Sequence, residues 1–175
     1  MKHIATMVTI VLLSLKTLAC QGFHPSEPVE LAHDPLDSTQ NLVNPTAVRF
    51  VSADSSDGNG SLAIEAKLPL TVELLAVTPE QAVKENDRLS YQAKIRASGL
   101  QGTAYLEMWC DFGPKGEYVS RGQDDAVGGD SEWKTVQTHY TVPAGKKLER
   151  VRLNLVINGQ GMVWIDDLRL LKSEQ

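Results

Sequence analysis

Val151-Arg152-Leu153-Asn154-Leu155-Val156-Ile157-Asn158-Gly159-Gln160-Gly161-Met162-Val163-Trp164-Ile165-Asp166-Asp167-Leu168-Arg169-Leu170 decides the fold. In its first half Val151, Leu153, Leu155 and Ile157 alternate with Arg152 and Asn154, and Arg150 precedes them on the polar side. Successive side chains of a strand point to opposite faces, so this run is a strand with one buried and one polar face. Asn158-Gly159-Gln160-Gly161 then supplies residues that tolerate positive φ, and a second β-rich run follows.

The same grammar extends outward. Short β-rich runs near 47–52, 61–67, 70–77, 89–97, 103–112, 134–142, 150–158 and 162–171 are separated by turn clusters. The clusters include Asp57-Gly58-Asn59-Gly60, Glu85-Asn86-Asp87, Gly99-Leu100-Gln101-Gly102 and Gly128-Gly129-Asp130. Short strands at such spacing predict an all-β, antiparallel β sandwich. Alternation assigns Leu106, Met108, Cys110 and Phe112 to one face of their strand, and Tyr105, Glu107, Trp109 and Asp111 to the other. In the strand near 89, Leu89, Tyr91, Ala93 and Ile95 oppose Ser90, Gln92, Lys94 and Arg96. Cys110 therefore reads as a core thiol, inert by burial. Apart from a turn around 79–83, no helix is expected.

Composition narrows the function. The chain has 175 residues, 42% hydrophobic and 22% charged, which suits one domain and is too apolar for a disordered chain. Its net charge of −5 argues against a nucleic-acid binder, which needs a basic face. Two cysteines cannot build a disulfide scaffold or a four-cysteine zinc site.

The N-terminus predicts export. Lys2 and His3 precede an apolar stretch from Ile4 to Leu15, far too short to span a bilayer. It ends in Lys16-Thr17-Leu18-Ala19-Cys20, which resembles the lipobox of a bacterial lipoprotein, with Thr17 where that box usually has Leu. The reading is a signal peptide over 1–19 and lipid attachment at Cys20; cleavage near Ala19 as an ordinary secretory signal is the alternative. Loss of residues 1–19 removes Lys2 and Lys16 and takes the net charge from −5 to −7. Acylation at Cys20 would anchor the protein in a membrane. Gln21 after the cysteine resembles outer-membrane sorting if the host is Gram-negative. Residues 20–45, with Pro25, Pro28, Pro35 and Pro45, read as anchor and tether. A first edge strand at Leu42-Val43 is the alternative for its end. The folded domain is placed at 46–172, with a tail at 173–175.

Catalytic chemistry finds little support. Glu107 and Asp111 share a strand face about 13 Å apart, beyond the roughly 5–9.5 Å of glycosidase carboxylate pairs. Past the signal, His24, His33 and His139 are the histidines, and two of them fall in the tether. No GxSxG, HExxH or phosphate loop occurs. The Asp54–Gly60 stretch fails as an EF-hand, because aligning Gly58 with the invariant glycine puts Ala53 and Ile64 at the terminal ligand positions. The chain reads as non-enzymatic.

Four segments, in order, resemble carbohydrate-binding modules of the family 4/9 type. They are Asp57-Gly58-Asn59-Gly60-Ser61-Leu62; Leu89 to Arg96; Glu132-Trp133-Lys134-Thr135-Val136 with Tyr140-Thr141-Val142-Pro143; and Gly159 to Leu170. The resemblance implies a galactose-binding-like jelly roll and a glycan partner. It also implies a structural calcium held by Asp166 or Asp167 with the Gly58 carbonyl. Hydrogen bonding of those carboxylates to backbone N–H groups is the alternative.

The candidate site is the face bearing Tyr105, Glu107 and Trp109. A ring flanked by polar groups covers the C–H face of a pyranose and bonds its hydroxyls. Gln92, Arg96, Arg152 and Asn154 are expected on adjacent strands of the same face. Tyr118 and Arg121 are expected to reach it from a long loop at 113–130. Trp133 and Trp164 read as packing. The sequence thus predicts an exported, lipid-anchored module of the cell envelope that binds a glycan or other polyhydroxylated ligand. The alternative is a protein-interaction, sensory or structural module using the same face.

Overall fold

The computed structural model describes residues 27–79 and 82–174. Among these residues are eight strands: β1 (Val29–Asp34), β2 (Val48–Val51), β3 (Ser61–Ala66), β4 (Leu70–Val77), β5 (Arg88–Asp111), β6 (Glu117–Arg121), β7 (Val127–Thr141) and β8 (Arg150–Ser173). All pairings are antiparallel.

Two 24-residue strands, β5 and β8, organise the molecule. Fully extended, either would span about 80 Å. Yet the ring of Phe112, just beyond the end of β5, lies 6.2 Å from that of Tyr140, which is paired with Leu89 near the start of β5. The strand therefore folds back over itself, and β8 folds with it, because the two stay paired from Arg88–Ser173 to Asp111–Arg150. The result is a jelly-roll sandwich with two layers. In the first, the C-terminal half of β8 pairs with the N-terminal half of β5 on one side and with β3 and β1 on the other; β2 and β7 complete it. In the second, β4, the N-terminal half of β8, the C-terminal half of β5 and β6 lie side by side.

The fold-over occurs at glycines. Gly102 pairs with Gly159, and a Cβ on Gly102 would sit 2.1 Å from the Asn158 carbonyl oxygen. Two clusters expected to separate strands, 99–102 and 158–161, are thus facing bends inside continuous strands. The pairing carries through them because side chains are absent where the backbones come closest.

One apolar cluster fills the space between the layers, as the alternation predicted. Leu89, Tyr91, Ala93 and Ile95 face Leu106, Met108, Cys110, Val151, Leu153, Leu155 and Ile157 across it. Burial pushes the Cys110 thiol up to about 12, so it stays protonated and unreactive.

Two expectations need correction. Residues 29–45 are not a tether: β1 pairs with the end of β8, and Leu36 is buried in the core. The Asp34 carboxylate accepts the Leu36 N–H and an Asn41 amide hydrogen bond. This strand owes its place to an open edge of β8 rather than to a strong alternation of its own. The domain therefore begins before residue 46. Leu42-Val43 is not a strand, although the Val43 N–H donates to the Leu74 carbonyl. Likewise, 113–130 is not one long loop. It contains β6 between two short 3-10 turns, Gly113–Lys115 and Gln123–Asp125. The signal peptide and Cys20 lie outside the described residues, as does the 80–81 part of the turn expected at 79–83.

Candidate functional site

The outer face of the second layer gathers the central candidates. Cross-strand pairing puts Glu73, Asn154, Glu107 and Arg121 in one row, and Ala76, Arg152, Trp109 and Val119 in the next. Thr71, Val156 and Tyr105 form a third. These side chains share a face because each row is two residues from the next, or three across the β4 bulge between Glu73 and Leu75, and the intervening residues point into the core.

Glu107 is the hub. It is only 7% exposed. Its Oε1 accepts the indole Nε1–H of Trp109 at 2.6 Å and the side-chain amide of Asn154 at 3.2 Å. Its Oε2 accepts the Arg121 Nε–H at 2.8 Å. The carboxylate is thereby neutralised and holds the indole in one orientation. The Arg152 guanidinium lies 5.3 Å from the Trp109 ring centre and pairs with Glu117 at 2.8 Å. Tyr105 lines a hollow of about 420 Å³ with Pro69, Leu70, Thr71 and Val156. The face therefore offers one half-buried indole, two guanidinia and a buried amide, with the Tyr105 ring sunk beside them at 7% exposure.

Three predicted site residues are not on this face. Gln92 and Arg96 belong to the first half of β5, before the bend, and pair with Arg169 and Trp164. Their side of the strand is the outer side of the opposite layer. There the Arg96 guanidinium stacks 4.2 Å over Trp164, lies 5.9 Å from Trp133 and is clamped by Asp54. Alternation was right locally, but the bend sends the two ends of one strand to opposite sides of the sandwich. Tyr118 opposes Cys110, so it points away from Trp109. Its ring lies against Phe112 and Tyr140, with the Lys146 ammonium 3.7 Å away. Arg121, named from the same segment, does reach the site. Reading 117–121 as an alternating strand would have separated the two.

The Asp166-Asp167 doublet marks a bulge in β8, with Asp167 at φ +48°. Asp166, fully buried, accepts the Ser56 and Asp57 N–H groups on Oδ2 at 2.7 and 2.9 Å and the Asp167 N–H on Oδ1 at 2.9 Å. Burial raises its pKa, while these hydrogen bonds pull the other way. Asp167 faces His33 and Arg169, both at 2.9 Å. The Gly58 N–H donates to Asp57. Calcium takes six to eight oxygen ligands, whereas these carboxylates point at N–H donors. No three metal-ligating side chains converge among the described residues. The contacts made are those of the alternative, a hydrogen-bonded staple between the Ser56-Asp57 turn and β8.

No protein-family model matches the chain, and no curated protein does. Solved structures do match it. The CBM22-1 xylan-binding domain of Paenibacillus barcinonensis Xyn10C superposes with a TM-score of 0.60 at 11% identity, over 87% of this chain and 99% of that one. The CBM22-1–GH10 modules of Clostridium thermocellum Xyn10B, complexed with xylohexaose, match with a TM-score of 0.60 at 12% identity, over 81% of this chain and 28% of that one. A family 16 carbohydrate-binding module matches with a TM-score of 0.51 at 9% identity, over 78% of this chain and 99% of that one. These structures are of families 22 and 16 rather than 4/9. At such identities they show a shared fold, and the chain has the jelly roll of carbohydrate-binding modules.

Proposed function

We propose that the outer face of the second layer binds a polysaccharide chain and that the protein is a non-catalytic glycan-binding module. The observation that carries this reading is the convergence of Tyr105, Glu107, Trp109, Arg152 and Asn154 on one face, with the indole tied to Glu107. A held ring covers the C–H face of a pyranose at little entropic cost. The Arg152 guanidinium and side-chain amides then bond its hydroxyls. The likeness to xylan-binding domains supports the same reading and suggests the first ligand to try.

Calorimetric titration of the protein with xylohexaose tests it. Binding is expected, and Trp109→Ala should weaken it by about 30-fold, the ~2 kcal/mol of an aromatic hot spot. Equal binding by wild type and variant would remove the site from this face. Arg152, poised over the indole, favours a second reading in which the face meets an envelope protein. No binding to any glycan of an array would leave that one standing.

The module is further proposed to be exported and held at the cell envelope through acylated Cys20, in the outer membrane if the host is Gram-negative. Radiolabelled palmitate should enter the wild-type protein and not Cys20→Ser. Equal labelling of both would end the anchoring claim.

A further inference from the structure

Beside the proposed glycan face, across the edge of β6, lies a polar hollow of about 500 Å³. Its lining includes Ser120, Arg121, Asp124, Asp125, Gln137 and His139. It forms where β6 of the second layer meets β7 of the first. Ser120 Oγ bonds the Thr138 hydroxyl at 2.8 Å and the His139 carbonyl at 2.6 Å. Asp125 ties the 3-10 turn to β7, accepting the Gln137 N–H at 2.9 Å and pairing with Lys134 at 2.6 Å. Gly122 permits the approach, since a Cβ there would sit 2.6 Å from the Gln137 carbonyl oxygen.

The hollow joins the face through one side chain. Arg121 lines it and also pairs with Glu107, which holds the Trp109 indole. Two hydrogen-bonded links therefore separate the ring from the hollow. The lining contrasts with the face, for it holds no Trp, Tyr or Phe and its one ring is the half-buried His139 imidazole. It offers mainly hydrogen-bonding groups. Its volume falls within the about 300–1,000 Å³ of small-molecule sites, but its walls are more polar than most.

Charge selects the occupant further. Arg121 is neutralised by Glu107, and Asp125 by Lys134. The exposed Asp124 carboxylate has no side-chain partner among the described residues. His139 has its pKa lowered by burial and by Arg88, and one ring nitrogen is engaged with Ser90 at 2.9 Å. An anionic group would meet Asp124 unopposed. A neutral sugar would find acceptors in Asp124 and donors in Gln137 and Arg121.

We propose that this hollow is a subsite for a neutral branch sugar of the polysaccharide whose main chain lies on Trp109. The inference rests on the glycan reading of that face. A backbone unit stacked on the indole would project a side unit over β6 and down past Arg121. The module would then prefer branched chains over linear ones.

Titration calorimetry on the full-length protein with three probes tests this: linear xylohexaose, the same chain bearing an arabinofuranosyl branch, and one bearing a glucuronosyl branch. The arabinosyl chain should bind at least tenfold more tightly than the linear one, and the glucuronosyl chain no better than linear. The double variant Asp124→Ala, Gln137→Ala should bring the arabinosyl chain down to the linear affinity and leave linear binding unchanged. Linear binding by wild type with no gain from the neutral branch overturns the subsite and leaves the face intact. A gain that survives in the double variant does the same. Failure of wild type to bind any of the three overturns the subsite together with the reading it rests on.

Discussion

Gly102→Ala should unfold the protein at markedly lower denaturant or temperature, with a loss of about 3 kcal/mol or more. Two effects combine at this position. Its φ is +136°, a region that residues with a side chain rarely adopt. The new methyl would also fall 2.1 Å from the Asn158 carbonyl oxygen and 2.9 Å from the Gly159 Cα. Both are backbone atoms of the paired strand, so no rotamer change relieves the clash. The internal comparison is Gly99→Ala, three residues earlier in the same bend. Gly99 has φ +58° but nothing within 4 Å of an added Cβ. It should cost only the left-handed strain, about 1–2 kcal/mol. In a chain of this size each kcal/mol moves Tm by about 2–4 °C. Chemical and thermal melts of the two variants should separate accordingly. Equal losses would mean that the close approach of β5 and β8 is not what the glycine serves.

Glu107→Ala should cost about 2–4 kcal/mol and should also loosen the proposed binding face. Removing the carboxylate strands the Trp109 indole N–H, the Asn154 amide and the Arg121 guanidinium together. Asn154 is buried, so its loss is not made good by water. Glu107→Gln separates charge from hydrogen bonding. Its amide oxygen still accepts from Trp109 and Asn154, and Arg121, 45% exposed, turns to solvent. That variant should lose only about 1 kcal/mol. Denaturant melts give the two values, and near-ultraviolet circular dichroism reports whether the indole keeps its fixed environment. Equal stability of the Ala and Gln variants would show that Glu107 is not a hub.

The local facts were legible. Alternation at Leu106, Met108 and Cys110 against Tyr105, Glu107 and Trp109 assigned both faces of the C-terminal half of β5 correctly, and the same logic placed Arg152 and Asn154. Such readings succeed because strand side chains keep a period of two wherever pairing is regular. Gln92 and Arg96 fit the same period and still lie on the far side of the sandwich. Their placement depends on a bend between residues 98 and 101, where the register shifts. Glycines signal that something happens there but not whether the chain turns back beside itself or continues into a second layer.

β1 teaches the complementary point. Val29-Glu30-Leu31-Ala32-His33-Asp34 sits among prolines and carries a weak pattern. It is a strand because β3 pairs only with residues 161–165 of β8 and leaves 168–172 open for a partner. No window of sequence around residue 30 contains that fact. Tyr118 and Arg121 divide for the same reason: the short strand β6 gives them opposite faces once it pairs with β5.

The sequence by itself thus determined the all-β class, the inward and outward sides of each main strand and the thiol in the core. These are local properties, set by the stereochemistry of an extended chain and by the cost of leaving apolar surface in water. Only the tertiary structure decided which outward sides form one surface, that Asp166 ties the Ser56-Asp57 turn to β8, and that Arg121 links Trp109 to a second hollow. Those are meetings of residues far apart in the chain. They depend on where the paired strands bend and which edge is left open, and both follow from long-range pairing.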